Sequence, residues 1–330
     1  MGMRRAWIVV LFVVVAALAG CQGEKESGVG DGEGKLRIAV IPKGTTHEFW
    51  KSVHAGARDA ADELGVEVIW KGPLKEDDRE EQIKVVEDFT TQRVDGIVLA
   101  PLDDMALRVP VQDAQRGGIP VLIFDSGLKD VDTVSFVATD NFAAGELAGK
   151  KLVELLGGQG RVILLRYQEG SASTHEREEG FLEALRAAPG IQVISQEQYA
   201  GATTESAQKA GENLIARFRE GGAFGADGIF CPNESSTFGM LRALQDAGLA
   251  GEVRFVGFDA SDKMVQALRE GHLDALVVQN PRKMGYLAVK SIVAHIRGQG
   301  VEKRIDTGAT LVTRENLSDP EIADLVAPVK

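Results

Sequence analysis

The sequence predicts an α/β protein of two doubly wound parallel-sheet domains. Three observations carry this. Short apolar runs alternate with longer stretches of helical periodicity along most of the chain, the pattern of parallel strands buried on both faces and joined by helical crossovers. At 330 residues the chain is long enough for two cores. The residues directly after the apolar runs are mostly polar, and open parallel sheets present their ligand-binding groups there.

The chain opens on an export pattern. Arg4 and Arg5 precede the apolar run Ala6–Leu18, and Leu18-Ala19-Gly20-Cys21 follows. The run is short for a membrane span and ends in small residues, as a secretory signal does. Its ending resembles a bacterial lipobox, so residues 1–20 are expected to be a signal peptide and Cys21 the lipidated residue; the plainer alternative is an uncleaved anchor. Residues 22–35 are almost all Gly, Glu, Asp, Ser and Lys. They cannot bury apolar surface and are expected, with Cys21, to form a flexible tether over 21–35. The body beyond it should work at the periplasmic or extracellular face.

From Leu36 the expected strands are Leu36–Ile41, Val66–Trp70, Gly96–Ala100, Val121–Phe124 and Val134–Ala138, then Arg161–Leu165, Ile191–Ser195, Gly228–Cys231, Arg254–Phe258 and Asp274–Val278. Expected helices lie between them. In Phe49–Leu64 the apolar positions Phe49, Val53, Ala57, Ala60, Ala61 and Leu64 recur mostly at spacings of three and four, one helix face. Asp77–Thr91 repeats the pattern with Ile83, Val86 and Phe89. Further helices are expected at Ala143–Leu156, Thr174–Ala188, Ser206–Arg219, Ser236–Ala247, Ser261–Glu270 and Arg282–Gly298. Glycine clusters such as Gly157-Gly158-Gln159-Gly160 mark the turns between units.

The net charge is −12. An acidic exported body argues against nucleic acid as a partner. Of two cysteines, Cys21 is taken by the lipobox reading and Cys231 ends an apolar run, so a disulfide scaffold is excluded and Cys231 reads as packing. His47 and His54 are seven residues apart with no Cys or third His near them in sequence, so no metal site is expected.

The strand exits converge on one chemistry. They carry Lys43 to His47, Asp125-Ser126, Asn233-Glu234, Asp259 and Gln279-Asn280, with the aromatic pair Phe49-Trp50 close by. Aromatic faces pack the C–H face of a sugar ring while carboxylates and amides take its hydroxyls. Helix caps and turns would explain any one of these polar residues. They explain Asp125, Asn233, Asp259 and Gln279 together less well.

The stretches Gly170–Phe181 (GSASTHEREEGF), Ile229–Gly248 (IFCPNESSTFGMLRALQDAG), Val256–Ser261 (VGFDAS) and Val277–Gly285 (VVQNPRKMG) together resemble the periplasmic ribose-binding protein family, the type I sugar-binding components of ATP-binding-cassette (ABC) importers. The resemblance runs from Leu36 to Val312. It implies a periplasmic binding protein type I fold, with three crossovers near Thr139–Asn141, Gln279–Pro281 and Asp306–Gly308. The lobes would be 36–139 plus 280–307 and 140–279 plus 308–330. It implies ligand contacts from Lys43, His47, Phe49, Trp50, Asp125, Ser126, His175, Asn233, Asp259 and Gln279. Ser126 and His175 stand where a ribose binder has arginines, and Lys43 and His47 bring charge to another wall, so a different pentose, hexose or polyol is expected, with a ligand carrying an anionic group near Lys43 as the alternative. Arg177 reads as an anchoring or solvated helix charge outside the site. Trp70 reads as rim or core packing.

The resemblance further implies a monomeric, membrane-anchored lipoprotein without cofactor that hands its sugar or polyol to an ABC permease. A sensor feeding a membrane receptor would share the same cleft. An exported glycosidase would need Asp125 and Asp259 as its carboxylate pair, but both fall where the binding family uses hydrogen-bond acceptors. A serine hydrolase would need a Gly-x-Ser-x-Gly elbow, which the sequence lacks. A repressor would need a helix-turn-helix ahead of Leu36, where the signal and tether lie. The chain is therefore expected not to be an enzyme.

Overall fold

The computed structural model describes residues 34–221 and 223–328. The signal over 1–20, Cys21 and all but the end of the tether lie outside the described residues. No helix among the described residues is long and apolar enough to cross a membrane.

The first run of elements is β1 (Arg37–Ile41), α1 (Glu48–Leu64), β2 (Glu67–Trp70), α2 (Arg79–Thr91), β3 (Gly96–Leu99), α3 (Arg108–Arg116), β4 (Val121–Phe124) and β5 (Phe136–Ala138). The second is α4 (Asn141–Leu155), β6 (Gln159–Arg166), α5 (Ala172–Arg186), β7 (Gly190–Tyr199), α6 (Thr204–Arg217), a hairpin of β8 (Arg219–Glu220) and β9 (Ala223–Phe224), β10 (Gly228–Phe230), α7 (Glu234–Asp246), β11 (Arg254–Phe258), α8 (Asp262–Glu270) and β12 (Ala275–Gln279). The chain ends with α9 (Pro281–Ile296), β13 (Arg304–Asp306), β14 (Ala309–Thr313) and α10 (Pro320–Leu325).

Two six-stranded sheets result, in the orders β13-β5-β4-β3-β1-β2 and β14-β12-β11-β10-β6-β7. All pairings in them are parallel except the edge pair β12–β14. The chain passes between the sheets after β5, after β12 and after β13. At these passages the Asp306 carboxylate accepts from Asp140 N at 3.1 Å and Gly308 N at 2.8 Å, and the Thr139 and Thr307 hydroxyls meet at 3.3 Å.

The expected helix faces are the buried ones. On α1 they are Phe49, Trp50, Val53, Ala57, Ala60 and Ala61; the helix stops at Gly65, whose left-handed φ of 67° closes it. On α2 the buried face is Gln82, Val85, Val86 and Phe89. The sequence reading passed over α3, β13, β14 and α10. In α3, Pro110 sits in the first turn, where a missing N–H costs nothing. Cys231 is a buried free thiol in the second sheet's core, and burial pushes its pKa up, so it packs as expected. Trp70 is half-buried and stacks on His54 at 4.5 Å.

Two devices, one polar and one steric, fix the exits of the strands. Gln82, fully buried on α2, donates to Pro42 O and Ala100 O and accepts from Leu102 N, tying the ends of β1 and β3 together. In the second sheet, α4 and α5 cross so closely that a Cβ on Gly145 would overlap the Arg177 carbonyl, and one on Gly180 would overlap that of Phe142. That approach sets how deep Arg177 sits. Replacing Gln82 by Leu leaves two buried carbonyls and one N–H unpaired, and should cost roughly 2–5 kcal/mol. Urea unfolding at neutral pH will measure it; an unchanged midpoint would remove Gln82 from this role.

Candidate ligand-binding site

The exit edges of the two sheets face each other across a small cavity of about 30 Å³. Each sheet places an aspartate there by the same local device. Asp125 follows Phe124 at the end of β4, and Asp259 follows Phe258 at the end of β11. Both adopt left-handed backbone, with φ of 61° and 65°, in a region L-residues avoid. Each is pinned by its own N–H, Asp125 to Val137 O at 3.0 Å and Asp259 to Val277 O at 2.9 Å. Strain of this kind in a buried, fixed residue points to a site.

Asp125 faces Lys43, which leaves β1 and is almost fully buried. The ammonium lies 3.2 Å from Asp125 Oδ2 and bonds the hydroxyls of Ser171 and Ser173 from the opposite sheet at 3.2 and 3.0 Å. Asp259 accepts from Gln279 Nε2 at 2.8 Å and Glu234 N at 3.0 Å. Burial pushes its pKa up, and Arg177 works against that shift.

Glu76, in the loop between β2 and α2, organises the wall between them. Its Oε1 accepts from Trp50 Nε1 and pairs with His47 Nδ1, both at 2.6 Å, and its Oε2 accepts from the Tyr167 hydroxyl at 2.7 Å. Burial alone would keep Glu76 protonated, but His47, Lys43 and the Trp50 N–H hold it ionised with a pKa of about 2. Burial opposes the charge on His47, and Glu76 overcomes it to raise the imidazole to about 9. Trp50, held this way, stands edge-on to Phe49 with ring centres 4.8 Å apart.

Two polar atoms on the cavity wall have no partner among the described residues: Arg177 Nη2, a donor, and Gln279 Oε1, an acceptor. The Gln279 amide orientation is forced, since only its nitrogen can donate to Asp259. Arg177 is buried, lies over the Phe258 ring at 4.0 Å, donates to Asn141 Oδ1 at 2.8 Å and Pro232 O at 3.0 Å, and leaves Nη2 for the cavity.

Of the expected residues, Lys43, His47, Phe49, Trp50, Asp125, Asn233, Asp259 and Gln279 line this cavity. The Asn233 side chain is mostly used at home, accepting from Ser236 N and donating to the Ser235 hydroxyl. Ser126 lies behind the wall, fully buried, its hydroxyl accepting from Ser173 N at 3.1 Å. His175 does not line this cavity: it is exposed on α5. The arginine set aside, Arg177, occupies that place, so the cavity does carry a guanidinium. Ser173 and Arg177 are four apart and share a helix face, whereas His175 lies about 200° around the helix from either. Glu76, Tyr167, Ser173, Thr174 and Glu234 also line the cavity and were missed. Tyr167 directly follows β6, so the strand-exit rule applied to every strand would have pointed to it; Glu76 lies six residues beyond β2, out of that rule's reach. Among the described residues no cluster suited to a metal is present.

Fold and cavity together define a two-sheet protein with a polar cavity between its sheets. A family model described as periplasmic binding protein domain matches residues 38–300. Over 276 residues the chain is 29% identical to the ribose import binding protein of Haemophilus influenzae, covering 84% of this chain and 91% of that protein. A carbohydrate transporter solute binding protein from Agrobacterium radiobacter in complex with D-arabinose has a TM-score of 0.84 at 32% identity, covering 89% of this chain and 99% of that one. An ABC transporter solute binding protein from Agrobacterium vitis with bound D-fucose has a TM-score of 0.84 at 34% identity, covering 88% and 100%. The chain belongs to the periplasmic binding protein family, in its ribose-binding-protein-like group, with the type I architecture. Its relatives are binding proteins of transport, not enzymes.

The His47–Glu76 pair gives a signed pH dependence. His47 has a raised pKa, so its contribution is complete below 6.5 and is lost as pH rises through about 9. Glu76 has a lowered one, so its contribution is complete above 4.5 and is lost as pH falls through about 2. The difference in Tm between wild type and Glu76→Gln should therefore be largest between pH 4.5 and 6.5 and shrink on both sides. Scanning calorimetry across pH 3–10 reads it, and a difference independent of pH would contradict the pairing.

Proposed function

We propose that this chain is the extracytoplasmic binding component of an ABC sugar importer. It captures a sugar or polyol between two lobes and delivers it to a membrane permease. The observation that carries the reading is the pair of unmatched groups in the cavity, the Arg177 Nη2 donor and the Gln279 Oε1 acceptor. They stand with the carboxylates of Asp125 and Asp259 and the rings of Phe49 and Trp50. Donors, acceptors and aromatic faces in one small enclosure suit a compact hydroxyl-bearing ring. The arabinose and fucose carried by the two solved neighbours are ligands of that kind.

Residues 36–139 with 280–307 and 140–279 with 308–330 act as the two lobes and close by hinge motion. Bonds across the cleft favour this: Tyr167 to Glu76, Lys43 to Ser171 and Ser173, Ser173 N to Ser126 Oγ, and Asp104 N to Gly170 O at 2.9 Å. The chain acts as a monomer, tethered through lipidated Cys21 and the segment after it.

A thermal-shift panel of pentoses, hexoses, polyols and sugar acids tests the function, since a ligand selective for the native state raises Tm. At least one neutral sugar or polyol should do so. A folded protein that responds to none of them would overturn the reading. Calorimetric titration of the best responder then tests the site. Arg177→Lys, which loses the planar fork, should weaken binding roughly 10- to 100-fold. His175→Ala should leave binding unchanged. A loss with His175→Ala and none with Arg177→Lys would reverse the assignment.

A further inference from the structure

Helix α1 carries no cap of its own. His47 occupies the N-cap position with extended backbone, but its imidazole is turned to Glu76 and takes no first-turn N–H. The donors are met from the other sheet. Glu234, first residue of α7, accepts from Glu48 N through Oε1 at 3.2 Å and from Phe49 N through Oε2 at 3.1 Å. Its own N–H donates to Asp259 Oδ2. One carboxyl group thus joins the N-termini of two helices that belong to different sheets. It does so beside Phe49, with the small cavity on one side and a wider one of about 460 Å³ on the other.

We propose that Glu234 is a positioning residue for closure: its carboxyl group latches α1 to α7 as the lobes meet, and so sets the closed fraction of the protein. The proposal rests on the hinge-closing reading above but not on which ligand is bound. It separates two tasks inside one cleft, since Asp125, Asp259, Arg177 and Gln279 meet the ligand while Glu234 holds the lobes.

The latch has a built-in opposition. The helix end and two N–H groups favour the carboxylate, and closing strips its water. His47, in the turn before α1, favours the anion, and Asp259, after β11, disfavours it. Lys51 on α1 faces it more weakly. Glu48, Lys75, Glu76, Asp262 and Lys263 line the wider cavity on its far side. Burial outweighs the rest and raises the Glu234 pKa from its ordinary 4.5 to about 7. A carboxyl group with a higher pKa in the closed form takes up a proton on closing. Closure is then at full strength below pH 4.5 and weakens as pH rises through 7. Across that window the closing constant should fall on the order of a hundredfold.

Small-angle scattering of the full-length chain without added sugar, from pH 5 to pH 9, tests this on wild type, Glu234→Gln and Glu234→Ala. Circular dichroism checks that each is folded. Wild type should open as pH rises through 7. Glu234→Gln keeps one acceptor and no charge, and should lose that limb. Glu234→Ala should be more open at every pH. A wild-type profile flat across the range, a Gln variant with the wild-type slope, or an Ala variant as closed as wild type would each overturn the proposal. No sugar is used, so failure here leaves the sugar reading standing, and a failed sugar screen leaves this result intact.

Discussion

The cleft depends on one buried carboxylate. Glu76 accepts from Trp50 and Tyr167 and pairs with His47. Moving a carboxylate out of water costs several kcal/mol unless charge and hydrogen bonds replace the lost solvent. Here three partners from two segments, the start of α1 and the exit of β6, supply that replacement. The consequence is geometric as much as energetic. Trp50 cannot rotate without abandoning Glu76, and Tyr167 brings the exit of β6 up to the loop after β2. Glu178 holds that exit from behind, pairing with Arg166 at 2.6 Å and accepting from Tyr167 N at 3.0 Å. The aromatic wall is thereby fixed from both sheets.

Around that centre the two sheets use the same solution twice. Each ends a central strand in Phe-Asp, and each aspartate takes left-handed backbone. The partners then diverge. Asp125 meets a lysine, while Asp259 meets an amide and a backbone N–H. One half of the cavity presents a paired charge and the other a polar wall with capacity to spare. Polar residues at the remaining strand exits divide among ordinary tasks. Asn280 and Asp140 cap helices, Ser126 braces the wall, and Asn233 both caps and lines.

How much of this could be read from sequence follows from the periods involved. Buried strands announce themselves as apolar runs, so both sheets and the edge their ligands share were legible, as were Asp125, Asp259 and Gln279 at that edge. The short edge strands β13 and β14 were not, because their partly exposed residues make no apolar run. Within the site, error came where helix phase decides. His175 and Arg177 stand two apart on α5, and the resemblance alone does not say which turns inward; the crossing at Gly145 and Gly180 does. Glu76 was hidden for a different reason. It sits in an aperiodic loop, and its partners come from two separate stretches of chain that only the tertiary fold brings together.

The three passages between the sheets also govern the order in which the molecule can be completed. Helix α9 buries Met284, Ala288, Val289 and Ile292 in the core formed by α1, β1, β3 and β4. In vectorial synthesis that segment follows the first sheet's other strands only after the whole second run of elements has been made. Until then the early strands hold an apolar face that α1 alone covers. The sheet begun first is finished late, when β13 takes its edge, and the other sheet closes directly after with β14. A nascent chain of this topology stays unfinished in both halves until its last segments emerge, and truncation near the C-terminus damages both halves at once.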